Sequence, residues 1–375
     1  MKIFVIFPKD SEALFNKKSN RTFGGASVQM YNIVKELSKY KEIKTFSIIP
    51  AYNNINFDDH YNFDLVKIYN ENDNGISKSF KFIKYAKKLK PDIVIQRGLT
   101  LQSCLLALVC WLLKIKFIFM FAHDVEVNGL RQADQSKVLL FFLLRKFAHI
   151  IITQNKYQKE TLLKKYRCDS VIIYNGFEIK NDIQKQNKRN YILWVARCDN
   201  WKQPELFIEL AIKNQHLQFC MICPKSNDEK YYGIIKNKAL QVKNLHFIEF
   251  VPYNEIDVYF KNAFLFINTS LYEGFPQTFI QATMNAVPIV SFHVNPEDFL
   301  NVYECGYGCN GNFEVLTNKI NELWKDNQKY KTLSDNAYMY AYNNHNIAIN
   351  VKKLIQLFGH VLNNRNVNNS SIDHT

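Results

Sequence analysis

Short apolar runs alternate with helical stretches along this chain, in two separate series, and that alternation limits the fold more than any other feature. In the first series the apolar runs fall at residues 2–7, 45–50, 63–69, 92–96, 116–123, 149–153 and 170–174. In the second they fall at 191–196, 218–222, 245–250, 263–268 and 287–291. The runs are apolar throughout, so each strand expects cover on both faces, as in a parallel sheet with helices above and below. Two such series predict an α/β protein of two doubly wound, Rossmann-like domains, and 375 residues are enough for both. Residues 178–190 are rich in Lys, Asn and Gln and lack apolar periodicity, which reads as a linker. The expected organisation is a first domain over 1–177, the linker at 178–190, a second domain over 191–345, a closing helix over 346–363 and a disordered, Asn-rich tail over 364–375.

The longest apolar run begins at Leu105 and is interrupted by Lys114 and Lys116. It reads as a buried helix over 101–113 and a buried strand over 116–123, too short and too broken for a membrane span. The opening Met-Lys-Ile-Phe-Val-Ile-Phe-Pro reads as a first strand with no leader, which points to the cytoplasm. Lys plus Arg total 48 against 34 Asp plus Glu, a net charge of +14. A basic chain favours anionic partners such as phosphate-bearing substrates or anionic lipid. Between 76 and 90, Ile76, Phe80, Ile83, Ala86 and Leu89 form one helical stripe, with Lys78, Lys81, Lys84, Lys87, Lys88 and Lys90 around it. This suits either a solvated helix with a core-facing stripe or an anionic membrane surface. Nothing matches a nucleic-acid module, so no nucleic-acid partner is expected. Eight cysteines are scattered; Cys220 and Cys223 lie on an apolar strand where positions three apart face opposite sides, and Cys305 and Cys309 sit further on. They read as buried thiols of a reducing compartment, with no metal site.

The sharpest chemistry lies at 270–291. Glu273 follows a strand, Gly274 permits close backbone approach, and Pro276 suits the first position of a helix running to about Asn285. A carboxylate and helix N-terminal amides then share one crevice at a sheet edge, an arrangement that binds anions. Arg197 and Lys202 follow the first strand of the second series. A guanidinium fork and an ammonium at that spacing can converge on a diphosphate and stabilise a departing phosphate without a metal, although two solvated cations on a loop would look the same. No Asp-x-Asp motif, the usual holder of a divalent metal on a diphosphate, occurs in the chain. Gly24-Gly25 opens a helix over 27–40, where a phosphate can be met or a plain tight turn made. His123 ends a strand run, Asn175-Gly176 reads as a structural tight turn, and Val251-Pro252 follows the run at 245–250.

Together these segments resemble the retaining, nucleotide-sugar-dependent glycosyltransferases of family 4, also called group 1, which have two facing Rossmann-like domains (the GT-B fold). The resemblance spans nearly the whole chain and is strongest between Tyr191 and Ser291. It implies that Glu273 binds hydroxyls of the donor sugar and that Arg197 and Lys202 hold the diphosphate, helped by the amides of Thr278 and Phe279. Gly274, Phe275, Gln281, the backbone of Val251 and the Gly24-Gly25 loop are the further donor contacts it implies, and His123 lies beside the reacting sugar. The family carries a second Glu eight residues after the first; here Gln281 stands in its place and keeps one acceptor oxygen without the charge. The resemblance also implies a donor on the C-terminal half, an acceptor on the N-terminal half, and a last helix, 347–362, that crosses back to the first domain. The expected co-substrate is a nucleoside-diphosphate sugar, a UDP-sugar before others, with no metal and no bound cofactor. The expected acceptor is a saccharide, lipid-linked, of a bacterial surface polysaccharide, handled in the cytoplasm or at the cytoplasmic face of the inner membrane. Two alternatives stay open: a nucleotide-sugar epimerase of the same architecture, and a non-catalytic binder in which Gln281 marks lost activity.

Overall fold

The computed structural model describes residues 1–16, 24–51, 61–70, 72–128, 135–179, 190–253 and 255–363. The chain divides into two compact units, one of Met1–Glu178 with Asn346–Thr375, the other of Ile179–His345. The expected linker falls almost wholly, and the expected tail wholly, outside the described residues.

The first unit contains β1 (Lys2–Ile6), α1 (Glu12–Phe15), α2 (Gly25–Leu37), β2 (Lys44–Ala51), β3 (Asp64–Asn70), α3 (Gly75–Leu89), β4 (Ile93–Arg97) and α4 (Leu101–Leu112). It continues with β5 (Lys116–Met120), α5 (Asp124–Asn128), α6 (Gln135–Phe147), β6 (Ile150–Thr153), α7 (Lys156–Tyr166) and β7 (Val171–Ile172). Its seven strands are parallel, in the order β3-β2-β1-β4-β5-β6-β7. The second unit contains β8 (Tyr191–Val195), α8 (Pro204–Lys213), β9 (Phe219–Ile222), α9 (Glu229–Leu240), β10 (Leu245–Ile248), α10 (Ile256–Lys261), β11 (Ala263–Asn268) and α11 (Gln277–Met284). After these come β12 (Ile289–Ser291), α12 (Phe299–Val302), β13 (Gly306–Gly308), α13 (Phe313–Lys325) and α14 (Asn327–His345), and the strands run parallel in the order β10-β9-β8-β11-β12-β13. The final helix, α15 (Ile347–Leu362), belongs to the first unit.

Both sheets are buried on both faces, which is why their strands read as unbroken apolar runs. In β8, Ile192 and Trp194 enter one cluster while Leu193 enters the other; in β11, Leu265 and Ile267 oppose Phe266. The same alternation separates Cys220 from Cys223, which lie in opposite clusters, and all eight thiols are buried and unbridged. No helix of the described residues is long and apolar enough to cross a membrane.

Three local expectations are corrected. In α3 the inward face carries Phe82, Lys78 and three residues of the expected stripe, Ile83, Ala86 and Leu89, whereas its other two, Ile76 and Phe80, are 62% and 70% exposed. Lys78 is tolerated inside because its Nζ lies over the Tyr69 ring, 4.9 Å from the centroid, and burial lowers its pKa. Asn175-Gly176 makes no tight turn, and Gly176 does not adopt a left-handed conformation. It is glycine because a Cβ there would lie 2.9 Å from the Cα of Ile347 at the start of α15. Pro276 is the N-cap of α11, one position earlier than expected.

Candidate functional site

The strand order of the second sheet builds the site. In chain order β8 precedes β11 by some seventy residues, yet the two are neighbours, and connections leave them in opposite directions along the sheet. The loops at their C-terminal ends therefore diverge around one crevice, the place where open α/β sheets bind ligands. One loop carries Arg197 and Lys202, the other Glu273.

Backbone bonds and rings tie these loops together. Leu271 N donates to Trp201 O at 2.9 Å, and Thr269 Oγ1 donates to Lys202 O at 2.6 Å while accepting from Trp194 Nε1 at 2.9 Å. Trp201 stacks on Tyr272 with centroids 5.2 Å apart and planes 10° apart. Lys202 Nζ lies 3.9 Å from the Trp201 centroid and 2.8 Å from Glu273 Oε2. Lys202 is 12% and Glu273 17% exposed, so the pair is largely withdrawn from water yet reachable. The other carboxylate oxygen, Glu273 Oε1, accepts from Ser270 Oγ at 2.7 Å and Asn268 Nδ2 at 3.0 Å. Glu273 is thus held from one side, and its Oε2 faces the lysine. Desolvation lowers the Lys202 pKa, with Glu273 acting against it and Arg197 adding to it.

Arg197 is 56% exposed, with Nη2 3.3 Å from Asp199 Oδ2, in ion-pair but not hydrogen-bond geometry. Its guanidinium is accordingly lightly held and accessible. The first turn of α11 begins a few residues after Glu273 and has no side-chain cap, which suits its amides to an anion. Within it the Phe279 amide closes on Pro276 O at 3.0 Å, which takes that amide from a ligand and leaves the Thr278 amide as the donor of the expected pair. The ring of Phe279 is fully buried, and that of Phe275, half-buried, packs 5.1 Å from Phe299 and 5.0 Å from His345. What Gly274 and Phe275 can offer a ligand is therefore backbone. Gln281 lies one turn into α11 and is 9% exposed. Val251 follows β10, two strands from β8, and rests on the second unit's core; at about 4.8 Å per strand its backbone stands roughly 10 Å across the sheet from the lysine loop.

Gly24, Gly25 and His123 belong to the first unit. The amide of Gly24 and the hydroxyl of Ser27 both donate to Asp10, each at 2.5 Å, so the start of α2 is already served by a carboxylate of its own chain. His123 is exposed at the end of β5, in a loop fixed by two carboxylates of α5. Glu126 accepts from Leu99 N at 3.0 Å and Ala122 N at 2.7 Å, and Asp124 accepts from Gln158 Nε2 at 2.7 Å.

Sequence reasoning missed Asn268, Ser270 and Trp201, which position Glu273 and Lys202. The small polar run Asn-Thr-Ser after an apolar strand was the available signal. It also missed Arg97, 7% exposed at the end of β4, whose Nη2 donates to Asn175 Oδ1 at 2.8 Å and whose pKa burial lowers to about 10. Among the described residues no group of acidic, His and Cys side chains could hold a metal ion.

Comparison with known proteins places this geometry. The model described as glycosyltransferase family 4 matches residues 23–181, and the model described as glycosyl transferases group 1 matches residues 176–340. The amylovoran biosynthesis glycosyltransferase of Erwinia amylovora is 25% identical over 281 residues, which cover 70% of this chain and 76% of that protein. The O-antigen chain mannosyltransferase of Salmonella typhimurium is 24% identical over 204 residues, covering 47% of this chain and 56% of that one. Among solved structures, a sucrose-phosphate synthase from Thermosynechococcus elongatus superposes with a TM-score of 0.74 at 15% identity, over 97% of this chain and all of that one. That likeness shows the two-domain GT-B fold. With the two models spanning residues 23–340 and the cation–carboxylate cluster at the β8–β11 crevice, the chain belongs to the family 4, group 1 glycosyltransferases.

Proposed function

We propose that this transferase moves a sugar, with retention of anomeric configuration, from a nucleoside diphosphate to a saccharide hydroxyl of a bacterial surface polysaccharide. The observation that carries the reading is the Lys202–Glu273 pair with accessible Arg197 beside it at the sheet's switch point. Arg197 and Lys202 hold the diphosphate, and the Thr278 amide adds a neutral donor. Negative charge builds on the phosphate oxygen as the glycosidic bond breaks, and fixed cations there lower the barrier. A diphosphate draws Lys202 away from Glu273, which frees Oε2 to accept from donor-sugar hydroxyls while Ser270 and Asn268 keep the carboxylate in place. Among the described residues we assign no carboxylate as a nucleophile, which favours front-face displacement, the departing phosphate oxygen taking the acceptor's proton. His123 orients the sugar or the acceptor. Two relatives named for amylovoran and O-antigen synthesis support a polysaccharide acceptor, and we take it to be lipid-linked. A UDP-sugar is the favoured donor. The missing Asp-x-Asp motif favours transfer without a metal.

The test is isotope-labelled transfer from a panel of nucleotide sugars to lipid extracts. Arg197→Ala and Lys202→Ala should each slow transfer about 30- to 1,000-fold, equivalent to roughly 2–4 kcal/mol of transition-state stabilisation. Transfer should persist in excess EDTA. Near-native turnover in both variants, or loss in EDTA with rescue by Mg²⁺ or Mn²⁺, would overturn the diphosphate or the metal-free assignment respectively. Release of an altered free nucleotide sugar without any acceptor would favour the epimerase.

A further inference from the structure

The backbone that carries His123 is pinned on both flanks. Phe121 N donates to Ile152 O at 3.0 Å, Gln154 Nε2 donates to Phe121 O at 3.0 Å, and Glu126 N donates to His123 O at 3.1 Å. Asp124 Oδ1 accepts from Asn155 Nδ2 at 3.1 Å as well as from Gln158. The imidazole itself is exposed and makes no hydrogen bond or ion pair with any described residue. A fixed backbone beneath a side chain that the protein does not engage is what a group meeting its substrate in one orientation requires. Glu126 is the member of this frame that reaches furthest. It stands three residues after His123 in α5, which Val127 seats in the core. Its carboxylate folds back over the loops: Oε2 takes the Ala122 amide, next to His123, and Oε1 takes the Leu99 amide, just past the end of β4. Between β4 and Leu99 the chain turns at Gly98, with φ 93°, and the Gly98 amide donates to Met120 O at 2.9 Å. One side chain thus ties the turn after β4 to the turn after β5. Arg97, the last residue of β4, is a buried cation whose Nε makes no hydrogen bond, and the negative charge of Glu126 partly offsets it.

We propose that Glu126 is a positioning residue for the transfer reaction, holding His123 in the orientation in which its imidazole meets the substrates. This rests on the reading that His123 orients the donor sugar or the acceptor, and it adds the group that sets that orientation. Glu126 acts through the backbone and touches neither substrate. Its chemistry is specific: each of the two amides has its own carboxylate oxygen, and a side-chain amide offers only one oxygen. With one bond lost, the turn after β5 is no longer tied to the turn after β4, and the imidazole that it carries is free to shift.

The experiment is proton–carbon correlation spectroscopy of the full chain labelled at histidine Cε1, beside isotope-labelled transfer, on the wild type, Glu126→Gln, His123→Ala and the double variant. His123→Ala assigns the His123 signal among the nine histidines. Glu126→Gln keeps the size of the side chain and one of its two bonds, so the chain should fold, and thermal unfolding checks that it does. In Glu126→Gln the His123 signal should shift or split while the other histidine signals stay in place. Its kcat should fall about tenfold or more, since a misplacement of about 1 Å can cost roughly 100-fold. In the His123→Ala background the same substitution should cost less than about twofold, because its effect runs through the lost imidazole. An unmoved His123 signal in Glu126→Gln, or losses that multiply in the double variant, would overturn the proposal alone, whatever the change in melting temperature. Native transfer by His123→Ala would overturn the reading of His123 on which the proposal stands, and the proposal with it.

Discussion

Lys202 is where the site's electrostatics are concentrated. Burial pulls its pKa below the ordinary lysine value of 10.5, so its charge is lost at lower pH than that of a surface lysine. Transfer should hold while Lys202 is charged and fall as pH rises through the lowered value; the pH profile of kcat/KM checks this, and an unchanged rate up to 10.5 would contradict it. Stability moves the other way. Between the lowered value and 10.5 the unfolded chain binds this proton more tightly, so this group's contribution to stability rises with pH in that window. At Gln281 the expectation is that Gln281→Glu improves donor affinity a few-fold, about 1 kcal/mol, by making a charge-assisted bond, while burial of the new carboxylate opposes it. Calorimetric titration decides, and a tenfold loss would mean the pocket is shaped around the amide. Arg197, Lys202 and Glu273 were legible in the sequence because their chemistry is local and charged. Ser270, Asn268 and Trp201 were not, because what they do depends on where Glu273 and Lys202 end up, and that is set by β8 lying next to β11. Arg97 was hidden for the same reason: its partner Asn175 is 78 residues away.

At the scale of elements, the long apolar strands were legible because burial on both faces removes polar residues from them. β13 was not, since Gly-Tyr-Gly is short and two of its three residues are glycine, which strands disfavour. The packing supplies the reason for glycine. A Cβ on Gly306 would lie 2.0 Å from the carbonyl oxygen of Ile289 in β12, and a backbone atom inside a sheet cannot give way. Gly306→Ala should therefore cost about 3 kcal/mol or more, the upper range for overpacking, read as a lower urea midpoint at unchanged m-value. A midpoint within error of wild type would show that β13 moves freely. The α3 stripe was legible only in part: Ile83, Ala86 and Leu89 pack on the core, but its five positions spread around much of the helix, so Ile76 and Phe80 fall on the exposed side.

Over the whole molecule, each unit has its own sheet and core, but the first is closed by the last helix. Ile347, Val351, Leu354, Leu357, Phe358 and Val361 of α15 are buried, and the helix is fastened by Ile347 N to Phe177 O at 2.9 Å and Asn350 Nδ2 to Tyr174 O at 3.0 Å. Six such side chains contribute about 1.5–3 kcal/mol each, against a typical domain stability of about 5–15 kcal/mol. Removing everything after His345 should therefore unfold the first unit and leave the second folded: calorimetry would lose one transition, and near-ultraviolet dichroism from buried Trp194 would persist. Two intact transitions in the truncated chain would contradict this. The same interruption orders events during synthesis. A ribosome delivers the first sheet long before the helix that seals it, and the second unit is complete while the first still waits. The flank of α2 and the segment after β7 stay uncovered through some 170 further residues of translation, so nascent chains stalled near His345 are the ones expected to need chaperones most.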